Sequence, residues 1–267
     1  MYPYLLYFFI YALLGWMAEV AFAALQSGSF VNRGFLNGPL CPIYGFGALG
    51  VVYVLEPLEG HKLLLFFAAM ALATAVELVA GWLLEVSLQK RWWDYSQRRF
   101  NFMGYICLEF SVLWGLLGFF VFEALHPALR GLVALVPTGL GKLVVAVACG
   151  YLAVDFVATV QSILKLNRRL ERVQRVAADI RRRSDALGIK IASNTVEFTA
   201  HLEELREDVQ DQEGSALREL RALVEEHNGL IREGRRSHRR LLRAFPNMKS
   251  KKFEEALKKL KGEHPVK

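Results

Sequence analysis

Hydrophobic residues run almost without interruption through the first 164 positions, whereas charged residues dominate positions 165–267. A run of about 20 apolar residues crosses the hydrocarbon core of a bilayer, which is about 30 Å thick. A soluble protein needs no run of this kind, because its helices keep a polar face. The pattern predicts an all-α, polytopic membrane protein with about five transmembrane helices. The five apolar runs lie at roughly 3–26, 36–57, 63–88, 104–125 and 143–164.

The charged part of the chain has a helical period of its own. Its apolar residues recur at alternating steps of four and three, which is a heptad seam. We expect Gly188 to end this first helix and Gly214 to interrupt a second apolar series. Residues 165–245 are therefore predicted to form a cytoplasmic helical region, either a helical hairpin or a coiled coil between subunits, and 246–267 a basic tail. The seam begins with Leu166, Leu170, Val173, Ala177 and Ile180.

A six-residue motif of the first apolar run returns in the third. GWMAEV at 15–20 becomes GWLLEV at 81–86, and each copy places a carboxylate, Glu19 or Glu85, inside an apolar run. Farther along, the glycines at 34 and 45 and those at 104 and 115 are eleven positions apart in each copy. A duplicated unit that carries a membrane-buried acid is typical of transport proteins.

The duplication predicts two repeats, at about 3–57 and 63–125, which together with a fifth span at 143–164 make a transmembrane domain over residues 1–164. Each repeat consists of a helix, a cytoplasmic loop and a returning helix, so both copies insert in the same direction. We therefore expect a pseudo-two-fold axis along the membrane normal to relate them. Equivalent acids of the two copies would then lie at equivalent depths.

Basic residues between the spans predict the orientation of the chain, whose formal net charge is +7. Loop one carries Arg33, loop three carries Lys90, Arg91, Arg98 and Arg99, and the region after span five is densely basic. With five spans these regions share one side, which is expected to be the cytoplasm, and the N-terminus faces outward. The first run is expected to remain as a span, because no Lys or Arg precedes it as in a signal peptide.

Carboxylates inside the apolar runs are the candidate chemistry. A charged residue at mid-membrane costs about 2.5–3.5 kcal/mol on insertion scales, so it needs a partner, a proton or a wet cavity. Glu19 and Glu85 are the first candidates, since the same acid recurs in the same motif. The alternative is that such acids are protonated or interfacial and only hydrogen-bond neighbouring helices. The other candidate binding residues are Trp16, Trp82, Asn32, Arg33, Asn37, Tyr44, Glu77, Asp94 and Asn101.

The entry to the second apolar run is rich in proline and glycine. Pro39 and Pro42 lack amide donors and disfavour helix just before themselves. The clearly helical part, Ile43 to Leu55, is too short to cross a bilayer alone. The stretch predicts a broken or re-entrant entry, which is tolerated at membrane depth only where it lines a cavity or is buried in protein. The alternative is an ordinary turn at the interface.

Several motifs of well-known enzyme classes do not occur in the sequence. GxxxxGK[ST], HExxH and GxSxG are all missing, so we expect no P-loop nucleotide hydrolysis, no catalytic residue, no metal site and no cofactor. Residues 232–267 hold 13 Lys or Arg, which suits anionic lipid or RNA. No RNA-binding motif accompanies them, so nucleic acid is not an expected partner.

Long motifs of the apolar half resemble the ABC-transporter permease family of bacteria known as the CmpB-like or type IV group. The resemblance covers about residues 1–165 and implies a multi-pass permease of the bacterial inner membrane. Any ATPase would be a separate chain. Glu109 stands at a position that varies in the family pattern, and the resemblance assigns no catalytic role. The motifs are the two GWxxEV copies and the stretches 32–47, 91–96 and 101–115.

The leading hypothesis is a transporter or permease component with a central site between the repeats, where Glu19 and Glu85 bind a cation or proton. Two other classes stay open. One is a membrane scaffold or sensor that acts through its coiled-coil tail, as a homo-oligomer. The other is an intramembrane enzyme that acts on lipid with the carboxylates as acid and base. The lipid bilayer is an expected partner in all three.

Overall fold

The computed structural model describes residues 2–198 and 206–262. These residues form long helices joined by short loops and four two-residue strands. The helices are α1 Tyr2–Ser27, α2 Pro42–Val54, α3 Lys62–Leu88, α4 Leu108–Phe120, α5 His126–Ala134, α6 Thr138–Phe198, α7 Arg206–Ser237, α8 Arg239–Ala244 and α9 Glu254–Lys261. The strands are β1 Lys90–Arg91, β2 Asn101–Phe102, β3 Ile106–Cys107 and β4 Lys249–Ser250.

Four helical stretches are long and apolar enough to cross a membrane. They are Tyr2–Ser27, Lys62–Leu88, Leu108–Ala134, in which a π-helical turn joins α4 to α5, and Thr138–Ile189. The predicted second span is instead the 13-residue helix α2. At 1.5 Å per residue it is about 20 Å long, short of the roughly 30 Å hydrocarbon core. The all-α polytopic prediction is confirmed, with four long candidate spans and one short apolar helix.

The outer surfaces of these spans carry large apolar side chains of which about half or more is exposed. In a bilayer such side chains face lipid tails, which are as apolar as they are. Their exposure therefore agrees with a membrane location. Examples from three of the four spans are Phe67, Leu83, Leu116, Val147 and Phe156.

Helix α2 packs closely against α1, and glycine makes the approach feasible. A Cβ on Gly15 would lie 2.2 Å from the Tyr44 ring, and one on Gly45 would lie 2.6 Å from the Phe8 ring. The amide of Cys41 donates to the carbonyl of Ala12 at 2.9 Å. The non-helical loop before α2 thus returns the chain about 22 Å along α1, by the helical rise per residue. The stretch is non-helical, as the prolines and glycines predicted, and its position at membrane depth stays a prediction.

The second helix pair, α3 and α4, is joined by a loop that folds into a small hairpin. Strands β2 and β3 pair antiparallel, with Asn101 opposite Cys107. Both Met103 and Gly104 have positive φ, which gives the tight turn that matches strand twist. After this turn α4 packs on α3, where a Cβ on Gly115 would lie 2.9 Å from Met70 and Phe66.

The chain divides into two compact units. The first comprises Met1–Ile163 and Arg240–Lys251, so a short late segment belongs with the apolar helices. The second comprises Leu164–Arg239 and Lys252–Lys267. Within the first unit β4 of the late segment pairs with β1, so that Lys90 lies opposite Ser250.

In the second unit the part of α6 that begins at Leu164 and helix α7 run side by side in opposite directions. Arg172 pairs with Glu226 at 2.8 Å, and Arg183 pairs with Glu219. This antiparallel pair is the first of the two arrangements that the heptad pattern allowed. The seam residues Leu166, Leu170 and Val173 are fully buried. Helix α9, with Ala256, Leu257 and Leu260 buried, packs on α7.

Both predicted helix breaks are wrong. Helix α6 continues through Gly188 to Phe198, and α7 continues through Gly214. A helical glycine costs only about 1 kcal/mol relative to alanine, and the residues around both glycines favour helix, so each helix propagates past the glycine. Leu202 and Leu205, which belong to the predicted second series, lie outside the described residues.

Candidate functional site

Glu19 is engaged by the helix and the loop that follow it. The Tyr44 hydroxyl of α2 donates to Glu19 Oε1 at 2.7 Å. Arg33 Nε lies 3.8 Å from Glu19 Oε2 and places a positive charge beside the carboxylate. Gly15, one turn earlier on α1, leaves the space that the Tyr44 ring fills. The repeated GWxxEV motif therefore provides both the acid and the room for its partner.

Glu77 of α3 is a buried carboxylate close to the contacts of Glu19. Its residue is buried, and its two oxygens accept hydrogen bonds from Trp114 Nε1 at 2.9 Å and the Tyr95 hydroxyl at 3.2 Å. Both donors are neutral, and within residues 2–198 and 206–262 no Lys or Arg forms an ion pair with Glu77. Glu77 is thus a buried acid whose partners supply hydrogen bonds but no positive charge.

The partners of the two acids touch each other. The rings of Tyr44 and Trp114 meet edge to face with centroids 5.9 Å apart. Burial raises the pKa of Tyr95, and the charges of Glu77 and then Glu19 raise it further, so both acids lie within electrostatic reach of one phenol. We name Glu19, Tyr44, Glu77, Tyr95 and Trp114 the acid–aromatic cluster.

Glu85, the repeat counterpart of Glu19, has a separate set of contacts. Arg91 Nε donates to Glu85 Oε2 at 2.7 Å, and the Tyr105 hydroxyl donates to the same oxygen at 3.0 Å. Burial lowers the pKa of Arg91, but its hydrogen bonds to Glu85 and Tyr105 outweigh burial and raise it. Each repeat glutamate therefore has an arginine and a tyrosine. Among the described residues, Glu19 is connected to Glu77 through the contact between Tyr44 and Trp114. Glu85 instead forms an ion pair with Arg91.

Asp94 joins the loop after α3 to the late segment of the first unit. Its carboxylate accepts from Lys249 at 2.5 Å and from the Ser96 amide at 3.1 Å, and Arg91 lies 3.5 Å away. Burial alone would raise the pKa of Asp94, but the hydrogen bonds from Lys249 and Ser96 outweigh it and lower the pKa to about 2. Asp94 is therefore a structural ion-pair centre.

Asn32 and Asn37 build the loop between α1 and α2. The Asn32 Oδ1 accepts from Trp16 Nε1 at 2.9 Å and from the Gly34 amide at 3.1 Å, while its Nδ2 donates to the Asn37 carbonyl at 2.7 Å. Asn37 in turn donates from both its backbone and its side chain to Asp155 Oδ1, each at 3.1 Å.

Asp155 of α6 is a functional candidate that was not selected from the sequence. It is buried and also accepts the Gly38 amide at 2.7 Å. Thr159 donates to it from the next turn at 3.4 Å. The available signal was a carboxylate inside the fifth apolar run. Its partner lies 118 positions away, at Asn37, and no local pattern indicates such a pairing.

The two remaining candidates lie apart from the acids. Trp82 is 51% exposed on α3, unlike Trp16, so the two tryptophans of the repeated motif have different surroundings. Asn101 supports the hairpin, where its Nδ2 donates to the Arg98 carbonyl at 2.8 Å and its Oδ1 accepts from the Gly104 amide at 3.3 Å.

Comparison with known protein families shows to which family the chain belongs. A sequence model of the family described as "Putative ABC-transporter type IV" matches residues 6–160, which is more than half of the chain. The chain belongs to this family. The type IV ABC-transporter match spans the whole acid–aromatic cluster and Asp155. Compared with curated proteins and with solved structures, the chain has no match.

Proposed function

We propose that this type IV ABC-transporter family member is a transport component whose acid–aromatic cluster binds a proton or a small cation. The observation that carries the proposal is the contact between the hydrogen-bond donors of two carboxylates from different helices. Tyr44 donates to Glu19 of α1, Trp114 donates to Glu77 of α3, and the two rings meet edge to face. Each helix belongs to a different copy of the sequence repeat.

Charge balance supports this assignment. Two carboxylates in one poorly solvated site do not both ionise unless a cation compensates them. Arg33 lies beside Glu19 at the rim, whereas Glu77 has only neutral donors. A proton or a cation at Glu77 therefore completes the site. Ionisable residues placed inside membrane spans mark proton and ion pathways in many transporters.

The surroundings of the protein follow from the same proposal. We place it in the bacterial inner membrane, with its N-terminus outside and its C-terminus in the cytoplasm, because loop three and the tail hold most of the Lys and Arg. A separate ATPase chain would supply energy, as the family name suggests. Self-association through the tail stays a proposal for the α6–α7 region.

Infrared spectroscopy of the full-length protein in lipid nanodiscs tests the site without requiring a partner chain. We expect a band from a protonated carboxylic acid that weakens when Na⁺, K⁺ or alkaline buffer is added. Glu77→Gln should remove this band, because glutamine has almost the same shape but no carboxyl group. Glu109→Gln is the control, since Glu109 is 64% exposed and pairs with exposed Arg98.

The proposal fails if the wild-type spectrum lacks such a band under all conditions. It also fails if the folded Glu77→Gln protein keeps the band and its response to cations. A band that disappears equally in Glu109→Gln would assign the signal to a surface carboxyl and would also contradict the proposal.

A further inference from the structure

Three successive carbonyl oxygens of the loop between α1 and α2 converge on one positive group. Arg240 Nη1 donates to the carbonyls of Gly34 and Leu36, at 3.1 Å each, and its Nη2 donates to the carbonyl of Phe35 at 3.3 Å. Backbone carbonyls that converge in this way replace the hydration shell of a cation in membrane proteins. The arrangement therefore has the form of a cation site whose occupant is a side chain of the same protein.

The loop holds these carbonyls in place by contacts of its own. Asn32 binds the Gly34 amide at the beginning and the Asn37 carbonyl at the end. Asp155 accepts the amides of Asn37 and Gly38, immediately after the three carbonyls. None of these bonds involves Arg240. The carbonyl cluster is thus expected to keep its geometry when Arg240 leaves.

Arg240 is held by neutral acceptors. No ion pair joins it to a carboxylate among the residues that the structure describes. Burial lowers the pKa of Arg240, while the charge of Asp155 acts on it through space in the opposite direction. A guanidinium stays charged under such conditions. The carbonyls and the charge of Asp155 thus suit a planar cation with the donors of a guanidinium group.

The segment Arg240–Lys251 delivers this arginine and is fastened at its other end to the loop after α3. Strand β4 forms a two-residue ladder with β1, and Lys249 pairs with Asp94 at 2.5 Å although its side chain is 55% exposed. Phe245 packs edge to face on Trp92, with centroids 4.6 Å apart. The segment also buries Leu241, Ala244 and Met248, so its release would have to break these apolar contacts together with the ladder and the ion pair. The segment therefore bridges the corresponding loops of the two sequence repeats.

We propose that the carbonyls of Gly34, Phe35 and Leu36 form a binding site for a small guanidinium-type cation, and that Arg240 closes this site as a tethered occupant. The site shares no residue with the acid–aromatic cluster, so it does not rest on the proposed function. A tether gives the arginine an effective concentration on the order of millimolar, which a free ligand must overcome. Release of the segment opens the site.

Methylguanidinium binding to the full-length protein in neutral-lipid nanodiscs tests the proposal. Calorimetry at constant ionic strength should show binding to Arg240→Ala and binding about tenfold weaker, or weaker still, to wild type, since the tethered side chain competes. Sodium at the same concentration should not replace methylguanidinium. Arg243→Ala is the matched control, because Arg243 is an exposed arginine of the same segment, and it should behave as wild type.

Two further variants distinguish a real gain in binding from an effect of misfolding in Arg240→Ala. Lys249→Ala keeps Arg240 but removes the ion pair to Asp94, so it should bind methylguanidinium with an affinity between wild type and Arg240→Ala. Adding Asp155→Asn to Arg240→Ala should weaken the binding again. Folded Arg240→Ala or Lys249→Ala protein that binds methylguanidinium no better than wild type would overturn the proposal. Equal gains in Arg243→Ala would overturn it as well.

Discussion

Tyr44 and Trp114 meet edge to face, with ring centroids 5.9 Å apart and planes at 73°. Each ring also donates to a different carboxylate, Tyr44 to Glu19 and Trp114 to Glu77. The two positions are 70 residues apart in the sequence, the same separation as between Gly45 and Gly115. Residues related by a two-fold axis touch each other only near that axis. The contact brings the donors of Glu19 and Glu77 together, whereas the pseudo-two-fold axis stays a prediction, since the motif counterpart of Glu19 is Glu85.

Trp114→Phe should destabilise the protein, because it removes the Nε1 donor of buried Glu77 and leaves the aromatic ring. An unsatisfied buried acceptor costs about 1–3 kcal/mol, and more if it is charged. The measurement is denaturant unfolding in detergent micelles. Trp82→Phe is the matched control, since Trp82 is half exposed, and it should change the free energy of unfolding by less than about 0.5 kcal/mol. Equal effects of the two substitutions would contradict the assigned hydrogen bond.

Gly15→Ala should displace Tyr44 from Glu19. The added Cβ would lie 2.2 Å from the Tyr44 ring, and such overpacking costs about 1–3 kcal/mol. Thermal unfolding, together with the fluorescence of Trp114 against the Tyr44 ring, measures both consequences. Gly47→Ala on α2 is the control, because no atom lies within 4 Å of its added Cβ. A Gly15→Ala protein as stable as Gly47→Ala would show that α1 and α2 are not packed this closely.

Acid should detach the segment Arg240–Lys251 only at low pH. The folded-state pKa of Asp94 is lowered to about 2, whereas an unfolded aspartate titrates near about 3.9. A depressed carboxyl pKa contributes stability above the unfolded value and loses it as the pH falls towards the folded value. The stability difference between wild type and Asp94→Asn should thus be constant from neutral pH to about pH 5 and be largely lost by about pH 2. A difference that disappears at pH 6 would contradict this ion-pair assignment.

Leu170→Lys should disrupt the α6–α7 pair. Leu170 is fully buried in the heptad seam, and a charge placed there costs about 3 kcal/mol or more. Circular dichroism of the full-length protein should record an earlier loss of helix on heating. Leu217→Lys on α7 is the control, since Leu217 is 47% exposed and should tolerate the charge. If both variants melt as wild type does, the seam does not stabilise the region.

Local patterns in the sequence predicted four of the spans and a helical region after them, for which a hairpin and a coiled coil between subunits were both open. A membrane span is recognisable as a long apolar run in the sequence. The prolines at 39 and 42 indicated why α2 is short. The heptad spacing indicated that Leu170 is buried. The same local reasoning failed at Gly188, because the cost of one glycine is smaller than the cooperative gain of a long helix.

Long-range pairings were beyond the sequence. Glu77 was a candidate, but its partner Trp114 lies on another helix, and nothing near either residue indicates their hydrogen bond. The 13 Lys or Arg of residues 232–267 suited anionic lipid or RNA, whereas the structure places Arg240 against backbone carbonyls 204 to 206 positions away. Tertiary packing selects such pairs, and a single sequence does not record the choice.

The most direct test of the proposed site is ion movement in membrane vesicles from cells that make the protein, so that a partner ATPase stays available. A pH-sensitive dye inside the vesicles records proton movement, and added Na⁺ or K⁺ records exchange. We predict that Glu19→Gln, Glu77→Gln and the double variant lose this movement to the same extent, because the two acids act as one site and their effects are not additive. Glu109→Gln should retain it. Normal ion movement in either folded single variant, or losses that multiply in the double variant, would contradict a shared site.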